Sequence, residues 1–434
     1  MKVIVANYRF FVAGGPERYM FRFMEAARRR GIEVIPFSVN LPQNEDTPYS
    51  RYFASPRADA LMYADTGFSF RNVLGTLRAT VYNTEAERKL RKLIRDERPD
   101  VLYILHEVNH LSPSVIRAAK KEHIPVIHRI SDFFMFCARY DFLNGNQICE
   151  ACIQRKYAHA IRSRCVKGSL AGTLLRVSAM KLYDRMKIFD DVDLFVVPSA
   201  FTAGKLKEGG VDPEKIRQIP TFTDCSRVRP CYENQKYFLF LGRMAHQKGV
   251  IYAIRAMTDL KDTGYVLKIT GTLSDTEEDR DIRRYVEEHG LSEVVQFVGF
   301  TRGEALETLI RGAVCIVCPA IWYENMPNTV IEAYAYGKPV VASRLGSLAE
   351  MVEDHVTGLL FCPGDEKELA EKLRCFISNE ELSVRLGKNA RKKCETEYGE
   401  ALHMKRWMES VRELTDRAHR FARETENNTQ EMPI

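Results

Sequence analysis

Short apolar runs alternate with helical segments along both halves of this 434-residue chain. Such alternation is typical of parallel sheets whose strands are joined by crossover helices. In the first half we predict strands at Val3–Ala6, Glu33–Phe37, Val101–Leu105, Val126–His128 and Leu194–Val197. In the second half we predict them at Tyr237–Leu241, Tyr265–Thr270, Val294–Val298, Val314–Val317, Pro339–Ala342 and Gly358–Phe361. The sequence therefore predicts an α/β fold of two doubly wound, Rossmann-like parallel-sheet domains that face a central cleft.

Length and composition agree with two domains. With 45% hydrophobic residues, the chain is long enough to bury two separate cores. We place an N-terminal domain at 1–220, with an insert at 131–165, and a C-terminal domain at 221–400. Residues 401–434 are predicted to form a helix that returns to the N-terminal domain and then a polar tail. Within the first domain, a polar loop is predicted at 41–68.

Positive charge is concentrated in the first half. Residues 1–198 contain 31 Lys and Arg against 21 Asp and Glu, a net charge of +10, and the remainder (33 against 37) carries −4. This favours an anionic partner or a negatively charged membrane surface, and ordinary solvated charge is the alternative. On a helix predicted at Pro16–Arg30, Phe21 lies among Arg18, Arg22 and Arg29, which makes that face a candidate for membrane contact or a solvated outer face.

No apolar run of about 18 residues and no signal-peptide pattern is found. We therefore expect a cytoplasmic protein that contacts an anionic membrane only peripherally, at its inner face. A nucleic-acid partner is not expected.

Two glutamates stand eight positions apart at a predicted junction between a strand and a helix. Glu324 follows the strand Val314–Val317 in a loop, and Glu332 lies inside a helix predicted at Asn328–Tyr336. Backbone N–H groups at the N-terminus of that helix form an anion site between the two carboxylates. Because sugar hydroxyls need acceptors and a diphosphate needs donors, this arrangement favours a sugar nucleotide.

Two cations follow the first strand of the second half, in the stretch Leu241-Gly242-Arg243-Met-Ala-His-Gln-Lys248-Gly249. Arg243 and Lys248 lie five residues apart in a loop that enters a helix. Two such charges can neutralise a diphosphate and stabilise the negative charge of a leaving group. A merely solvated loop is the alternative, and the nearby glutamate pair disfavours it.

These motifs resemble the donor site of retaining glycosyltransferase family 4 (glycosyl transferases group 1), which has the GT-B fold. The family's Gly-Arg…Lys-Gly element matches Gly242–Gly249 residue for residue, and the resemblance covers nearly the whole chain. It implies retaining transfer from a nucleotide-sugar donor without a catalytic metal, because Arg243 and Lys248 would carry the leaving-group charge. It further implies that Glu332 accepts hydrogen bonds from the ribose and Glu324 from the donor sugar.

Other positions take their expected roles from the same resemblance. Gly14 and Gly15 match the family's glycine-rich loop after the first strand, where the backbone can closely approach sugar or phosphate. His128 matches a histidine that points into the cleft and contacts the donor sugar. His106, at the end of the preceding strand, is the competing choice.

One departure from the family concerns the phosphate cradle. Members commonly have Gly-aromatic-Gly after the first glutamate, whereas this chain has Asn325-Met326-Pro327. Proline has no backbone N–H. The contacts to the diphosphate are therefore expected from Met326, Asn328 or Thr329.

Four cysteines lie in or at the end of the insert. Cys137, Cys149, Cys152 and Cys165 place a Cys-x2-Cys pair between two outer thiols, a set that can give tetrahedral zinc. Free thiols and disulfides are the alternatives, and the lack of an export signal disfavours disulfides. Such a zinc would be structural because four thiolates leave no open position, and no cofactor is expected for catalysis.

Together these features predict a retaining hexosyltransferase that acts on a glycan or lipid-linked glycan in surface-polysaccharide or glycoconjugate biosynthesis. The alternatives are a nucleotide-sugar epimerase of the same architecture and a non-catalytic sugar-nucleotide-binding protein. Analysis of the products distinguishes the epimerase from the transferase, because an epimerase interconverts free sugar nucleotides and releases no glycoside. The presence of both glutamates and both cations argues against the second.

Overall fold

Two six-stranded parallel sheets form the framework of the computed structural model. The structure describes residues 1–56, 81–107, 110–271 and 276–430, with side chains as far as 416. The later part of the predicted loop, 57–68, and the last four residues of the predicted tail lie outside these residues. Within the described residues, the helices include none that is both long and apolar enough to cross a membrane.

The first sheet has the strand order β2-β1-β3-β4-β7-β8, and β5 and β6 form a small antiparallel pair in the insert. The strands are β1 (Lys2–Asn7), β2 (Glu33–Phe37), β3 (Val101–His106), β4 (Val126–Arg129), β5 (Leu143–Asn144), β6 (Gln147–Ile148), β7 (Leu194–Val197) and β8 (Ile216–Gln218). The two-residue strands β5 and β6 were not predicted, and neither was β8. Its three residues include a central arginine, so they carry too little apolar pattern to be recognised as a strand.

The helices of this half follow the predicted alternation, and three of them begin at a side-chain cap. They are α1 (Gly15–Arg28), α2 (Thr84–Glu97), α3 (Ser114–Lys121), α4 (Ala158–Arg162), α5 (Leu170–Met186) and α6 (Ala200–Glu208). Asn83, Ser169 and Ser199 accept hydrogen bonds from backbone N–H groups in the first turns of α2, α5 and α6. These caps fix where the three helices begin because they satisfy donors that have no partner within the helix.

The second sheet has the strand order β11-β10-β9-β12-β13-β14. The strands are β9 (Tyr237–Leu241), β10 (Val266–Thr270), β11 (Val295–Gly299), β12 (Ile316–Cys318), β13 (Val340–Ser343) and β14 (Gly358–Phe361). The helices are α7 (Val250–Ala256), α8 (Glu277–Glu288), α9 (Glu304–Gly312), α10 (Asn328–Ala335), α11 (Gly346–Met351), α12 (Glu366–Ser378), α13 (Glu380–Glu397) and α14 (Glu400–Gln430). This is the doubly wound order, so the predicted fold class is confirmed.

The terminal helix α14 belongs structurally to the first half. Met404, Trp407, Val411 and Leu414 are buried in the same apolar cluster as α1 and the strands of the first sheet. The Trp407 ring lies with its centroid 4.8 Å from that of Phe23 and 5.6 Å from that of Tyr103. The predicted return of this helix to the N-terminal domain is therefore confirmed.

The chain crosses between the two halves twice, and the two crossings touch. The first crossing follows β8, and the second lies between α13 and α14. The Thr223 N–H donates to the Tyr398 carbonyl at 2.9 Å, and Thr223 forms an isolated parallel bridge with Gly399. Backbone hydrogen bonds thus tie the two connections together.

A buried histidine on α14 should make stability depend on pH. His403 lies between the Pro220 carbonyl, 2.7 Å from its Nδ1, and the Tyr19 hydroxyl, 3.0 Å from its Nε2. Burial lowers the pKa of His403 to about 3, from an ordinary value of 6.5. Between these two pKa values His403 is protonated in the unfolded chain and neutral in the folded protein. As the pH falls from about 6.5 towards 3, we expect a loss of about 1.4 kcal/mol of unfolding free energy per pH unit from this group.

Urea unfolding at several pH values measures this slope, and His403→Gln is the control because its amide can donate and accept without titrating. The difference between the two proteins isolates the histidine from the carboxylates, which titrate in both. Equal slopes in the two proteins between pH 6.5 and 4 would contradict the prediction.

Candidate active site

The loops that leave β9 and β12 lie side by side where the strand order of the second sheet reverses. In doubly wound sheets ligands bind at this point, outside the carboxyl ends of the strands. Gly249 ends the β9 loop at φ +69°, and a Cβ atom there would lie 1.9 Å from the Pro319 carbonyl oxygen at the start of the β12 loop. Only glycine fits this position, so the two loops are held in direct contact.

Glu324 and Lys248, predicted to contact different parts of the donor, bind each other across these two loops. Lys248 Nζ lies 2.5 Å from Glu324 Oε1, and the Trp322 indole N–H donates to the same oxygen at 2.8 Å. The Ser347 hydroxyl donates to the Glu324 backbone carbonyl. Glu324 is 8% exposed. The carboxylate is thus fixed in orientation by two donors, and the lysine charge is held beside it.

Arg243 is exposed at the other end of the β9 loop, next to Gly242. Among the described residues it forms no ion pair, in contrast to Lys248. Burial raises the pKa of the Tyr140 hydroxyl, and the charge of Arg243 opposes that rise, so the guanidinium lies within electrostatic range of the insert. Its donors are therefore available to an anionic ligand.

The N-termini of α1 and α10 face each other across the cleft. A Cβ atom on Gly15 would lie 3.2 Å from the Asn328 side-chain nitrogen, and the Thr329 hydroxyl donates to the Leu241 carbonyl at 3.2 Å. Neither helix has a side-chain cap at its N-cap residue, which is Gly14 for α1 and a proline for α10. Uncapped N–H groups from two domains therefore point towards the same space, as an anionic group requires.

The residues after Glu324 join the two domains. The Asn325 side-chain N–H donates to the Ile130 carbonyl at 2.6 Å, and its oxygen accepts from the Thr202 hydroxyl at 2.8 Å. The Met326 sulfur accepts from the Thr221 N–H at 3.1 Å. The structure thus gives the Met326 side chain a contact to the first crossing of the chain, after β8, in addition to the phosphate contact expected of its backbone.

Glu332, the fifth residue of α10, forms ion pairs with two arginines of α1. Its Oε1 lies 3.2 Å from Arg22 and 3.6 Å from Arg18. In the structure, the carboxylate expected to bind a ribose is therefore engaged by the first domain.

These ion pairs bear on the interpretation of α1 as a candidate membrane-contact helix. Arg18 and Arg22 are paired with Glu332, and Arg29 is paired with Glu25 and Glu400. The Phe21 ring packs against that of Phe10, with 5.3 Å between centroids. The arginines of this face that were considered for lipid contact are thus paired within the protein, and Glu25, Arg28 and Arg29 stay exposed.

Glu332→Ala is expected to weaken nucleotide binding about tenfold to a hundredfold, the usual range for hydrogen bonds to a charged group. We expect little change in kcat, because ribose contacts are alike in the ground and transition states. Calorimetric titration with nucleotide and steady-state kinetics measure the two quantities. Arg22→Ala is the matched control because it breaks the ion pair and leaves the carboxylate. A fall in kcat with unchanged nucleotide affinity would contradict the ribose role.

His128, which the family resemblance places against the donor sugar, is paired inside the first domain in this structure. Its ring packs against Phe189 and Phe195, its Nε2 lies 3.0 Å from Glu107 Oε2, and it is 6% exposed. On β4 it is level with Ile104 of β3, and the chain of that strand continues for two more residues before it reaches the edge of the sheet. In this structure His128 is enclosed below the sheet edge and bound to Glu107, and its contact with the donor sugar stays a prediction.

His106 is the histidine at the edge of the first sheet. Its Nε2 lies 3.1 Å from Asp132 Oδ2, and the Tyr8 ring meets it edge-on at 4.9 Å between centroids. Burial lowers the pKa of His106, but the Asp132 carboxylate outweighs that effect and the net pKa is raised. Of the two histidines weighed from the sequence, His106 is the one nearer to the cleft.

The insert contacts the β12 loop of the second domain, and this contact was not predicted from the sequence. The Tyr323 hydroxyl donates to Glu150 Oε1 at 2.7 Å, and Lys205 Nζ lies 2.8 Å from the same oxygen. Tyr323 is the neighbour of Glu324, and Glu150 lies between two of the cysteines. The cysteine insert therefore supports the loop that carries the candidate catalytic glutamate.

The four cysteines, as placed, do not form a metal site. Within the described parts of the chain, the His, Cys, Asp and Glu side chains form no group of three or more that could hold a metal ion. Burial raises the pKa of Cys137 to about 11 and also raises the pKa of Cys152 and Cys165, which favours thiols over thiolates. Zinc binding by the insert stays a prediction, and no step of the mechanism depends on it.

Metal analysis of protein purified without added metal tests the zinc prediction. Zinc binding should give about one zinc per chain, which Cys149→Ser should lose together with protease resistance of the insert. Cys362→Ser, at an exposed cysteine of the second domain, is the matched control. Metal-free protein with titratable thiols at all four positions would rule zinc out.

Comparisons with known proteins decide the family. The sequence model of Glycosyltransferase Family 4 matches residues 13–227, and that of Glycosyl transferases group 1 matches residues 223–393. The chain belongs to glycosyltransferase family 4, group 1. The predicted family is thereby confirmed, and the two models divide this glycosyltransferase close to the linker.

Individual relatives are distant. The amylovoran biosynthesis glycosyltransferase AmsK of Erwinia amylovora is 26% identical over 210 residues, which are 47% of this chain and 49% of that protein. The chain spans about half the length, or less, of the curated relatives that it matches most strongly.

Solved structures of the same fold cover almost the whole chain. Sucrose-phosphate synthase from Thermosynechococcus elongatus has a TM-score of 0.68 at 20% identity, over 95% of this chain and 98% of that one. HepE from Anabaena, solved in complex with UDP, has a TM-score of 0.64 at 15% identity, over 95% and 100%. At such identities the likeness concerns the fold, and it confirms the GT-B architecture.

Proposed function

We propose that this glycosyltransferase is a retaining enzyme that moves a hexose from a nucleotide-sugar donor to a glycan or lipid-linked glycan. The observation that carries the proposal is the arrangement around the β12 loop. The half-buried Lys248–Glu324 pair, the exposed Arg243 and the facing N-termini of α1 and α10 surround one space at the switch point of the second sheet.

Each group has a chemical task in this reaction. The helix N-termini and Arg243 would hold the diphosphate, and Lys248 would stabilise the charge that develops on it as the glycosidic bond breaks. Glu324, oriented by Lys248 and Trp322, would accept a hydrogen bond from a donor-sugar hydroxyl. Glu332 would accept from the ribose hydroxyls. Because side chains and helix ends supply the positive charge, we propose that catalysis needs no bound metal.

The comparisons support a biosynthetic role and a uridine nucleotide as the first donor to test. AmsK is named for amylovoran biosynthesis, and HepE was solved with UDP and with UDP-glucose. On this basis we propose that the enzyme acts in surface-polysaccharide or glycoconjugate assembly, at the cytoplasmic face of an anionic membrane.

Donor binding is tested by thermal shift with UDP-, GDP- and ADP-sugars. A true donor stabilises the folded protein by RT ln(1 + [L]/Kd), so the unfolding temperature rises with donor concentration. The rise in unfolding temperature should be smaller for Glu332→Ala. Stabilisation of Glu332→Ala equal to that of the wild type, or no stabilisation by any sugar nucleotide, would overturn the proposed donor site.

Transfer is tested with the donor selected in this way and a radiolabelled sugar. Label found in a glycan or lipid extract supports transfer, and the anomeric configuration read by NMR must equal that of the donor for a retaining reaction. Inversion would overturn that part of the proposal. Interconversion of free sugar nucleotides without label in any glycoside would favour the epimerase.

A further inference from the structure

The outer face of α5 (Leu170–Met186) exposes three leucines on one side of the helix. Leu170 is 45% exposed, Leu174 is 44% exposed and Leu182 is 38% exposed. Spaced by four and eight residues, they lie within an arc of about 120° around the helix axis, because successive residues are about 100° apart. Lys181 and Arg185, both exposed, lie in the same arc.

The opposite face of α5 anchors the helix firmly. Val177, Met180 and Tyr183 are buried there. Arg176 is also buried, and its guanidinium donates to the Phe134 carbonyl at 3.2 Å and lies over the Phe134 ring. The leucines are therefore the free side of a helix that is already packed, and they do not result from a loosely attached segment.

The chain around this face is strongly basic. Residues 151–187 contain nine Lys and Arg and a single acidic residue, a net charge of +8 out of the +10 of the first half. The acidic residue is Asp184, which already binds Arg155 at 2.8 Å and Tyr157 at 2.9 Å. Seven cations of this stretch are exposed and would need partners from elsewhere: Lys156, Arg162, Arg164, Lys167, Lys181, Arg185 and Lys187.

We propose that the outer face of α5 and these flanking cations form the surface by which the protein binds an anionic phospholipid bilayer. The leucines enter the boundary between headgroups and acyl chains, and the cations bind the lipid phosphates. This inference deepens the membrane contact proposed above, and it replaces α1 by α5 as the helix that makes it.

Charge decides between a bilayer and the other occupants of such a face. A second copy that bound through the same face would bring an equal positive charge against this one, which repels. A nucleic acid would use the cations and leave the leucines without a role. An anionic bilayer uses both groups at once.

The position of α5 suits a lipid-linked acceptor. Through Arg176 the helix is attached to Phe134, which follows Asp132, the partner of His106 at the edge of the first sheet. A bilayer bound to α5 would therefore lie on the side of the cleft that the N-terminal domain forms.

Co-sedimentation of the full chain with vesicles tests the proposal without any sugar nucleotide. We expect binding to vesicles of phosphatidylcholine and phosphatidylglycerol that is at least tenfold tighter than to phosphatidylcholine alone, and weaker at high salt. The variant Leu170→Ser/Leu174→Ser/Leu182→Ser should lose at least tenfold in affinity for the mixed vesicles. Lys167→Glu/Lys181→Glu/Arg185→Glu should lose the preference for the anionic lipid.

Matched controls lie on the second domain. Lys261→Glu/Arg385→Glu/Lys392→Glu changes the same number of exposed cations, and Phe300→Ser removes an apolar side chain that is 60% exposed. Both should bind vesicles like the wild type. All variants should keep the wild-type thermal shift with the donor, so a failure of membrane binding is separate from a failure of the proposed transferase.

Three results would overturn the proposal. The first is equal sedimentation of the wild type with both kinds of vesicle, and the second is a leucine variant that binds the mixed vesicles as tightly as the wild type. In the third, the leucine variant changes the oligomeric state in analytical ultracentrifugation while vesicle binding stays the same, which would assign the face to a second copy.

Discussion

Lys248→Ala and Arg243→Ala are each expected to lower kcat by about a hundredfold or more, the effect of removing one charge-stabilising donor from a transition state. The two residues differ in what else they do. Lys248 is also the cationic partner of the buried Glu324 carboxylate, whereas Arg243 is exposed and makes no ion pair among the described residues. Lys248→Ala should therefore reduce the unfolding free energy as well, and Arg243→Ala should leave it unchanged.

Steady-state kinetics with a saturating donor measure the turnover, and urea unfolding measures the stability. Lys261→Ala, at an exposed lysine of the same domain, is the matched control and should change neither quantity. Wild-type turnover in either active-site variant would remove that residue from the leaving-group role. An equal loss of stability in both variants would contradict the difference in their contacts.

Trp407→Ala is expected to reduce the unfolding free energy of the first domain by about 3–5 kcal/mol, the usual loss when a buried tryptophan side chain is replaced by a cavity. Trp407 is fully buried between α1 and the first sheet, with aromatic contacts to Phe23 and Tyr103. Its indole N–H finds no hydrogen-bond partner, so all of this stabilisation comes from packing.

Trp407→Phe is the control for this prediction, because it keeps an aromatic ring at the site and removes the unpaired N–H. We expect it to cost much less than the alanine variant. Chemical unfolding followed by circular dichroism measures both. A loss below about 1 kcal/mol for Trp407→Ala would show that α14 contributes little to the first domain.

The strands could be predicted from the sequence because their signal is local. Runs such as Tyr237–Leu241 are apolar, are buried on both faces of a parallel sheet and end at a glycine, so no distant contact is needed to recognise them. The same holds for the loop positions of Glu324 and Lys248. Their direct ion pair could not be predicted, because it depends on how closely two loops 76 residues apart approach each other.

The remaining differences arise from long-range geometry. Arg22 and Glu332 are 310 positions apart, and their contact requires the two domains to be placed against each other. For His128, the sequence predicts the strand and the face of the sheet. It does not predict how far the residue lies from the carboxyl edge of the sheet, because that distance depends on the register with Ile104 on β3. A resemblance based on motif position cannot supply that register.

The paired crossings of the chain constrain how the cleft can open. Thr223 and the Tyr398–Gly399 segment are joined by backbone hydrogen bonds, so the two covalent connections between the domains meet at one place. A single connection would allow the domains to swing in any direction, but two adjacent ones act as a hinge with a fixed axis. Rotation about that axis would separate Arg22 from Glu332 and Tyr323 from Glu150 in a single movement.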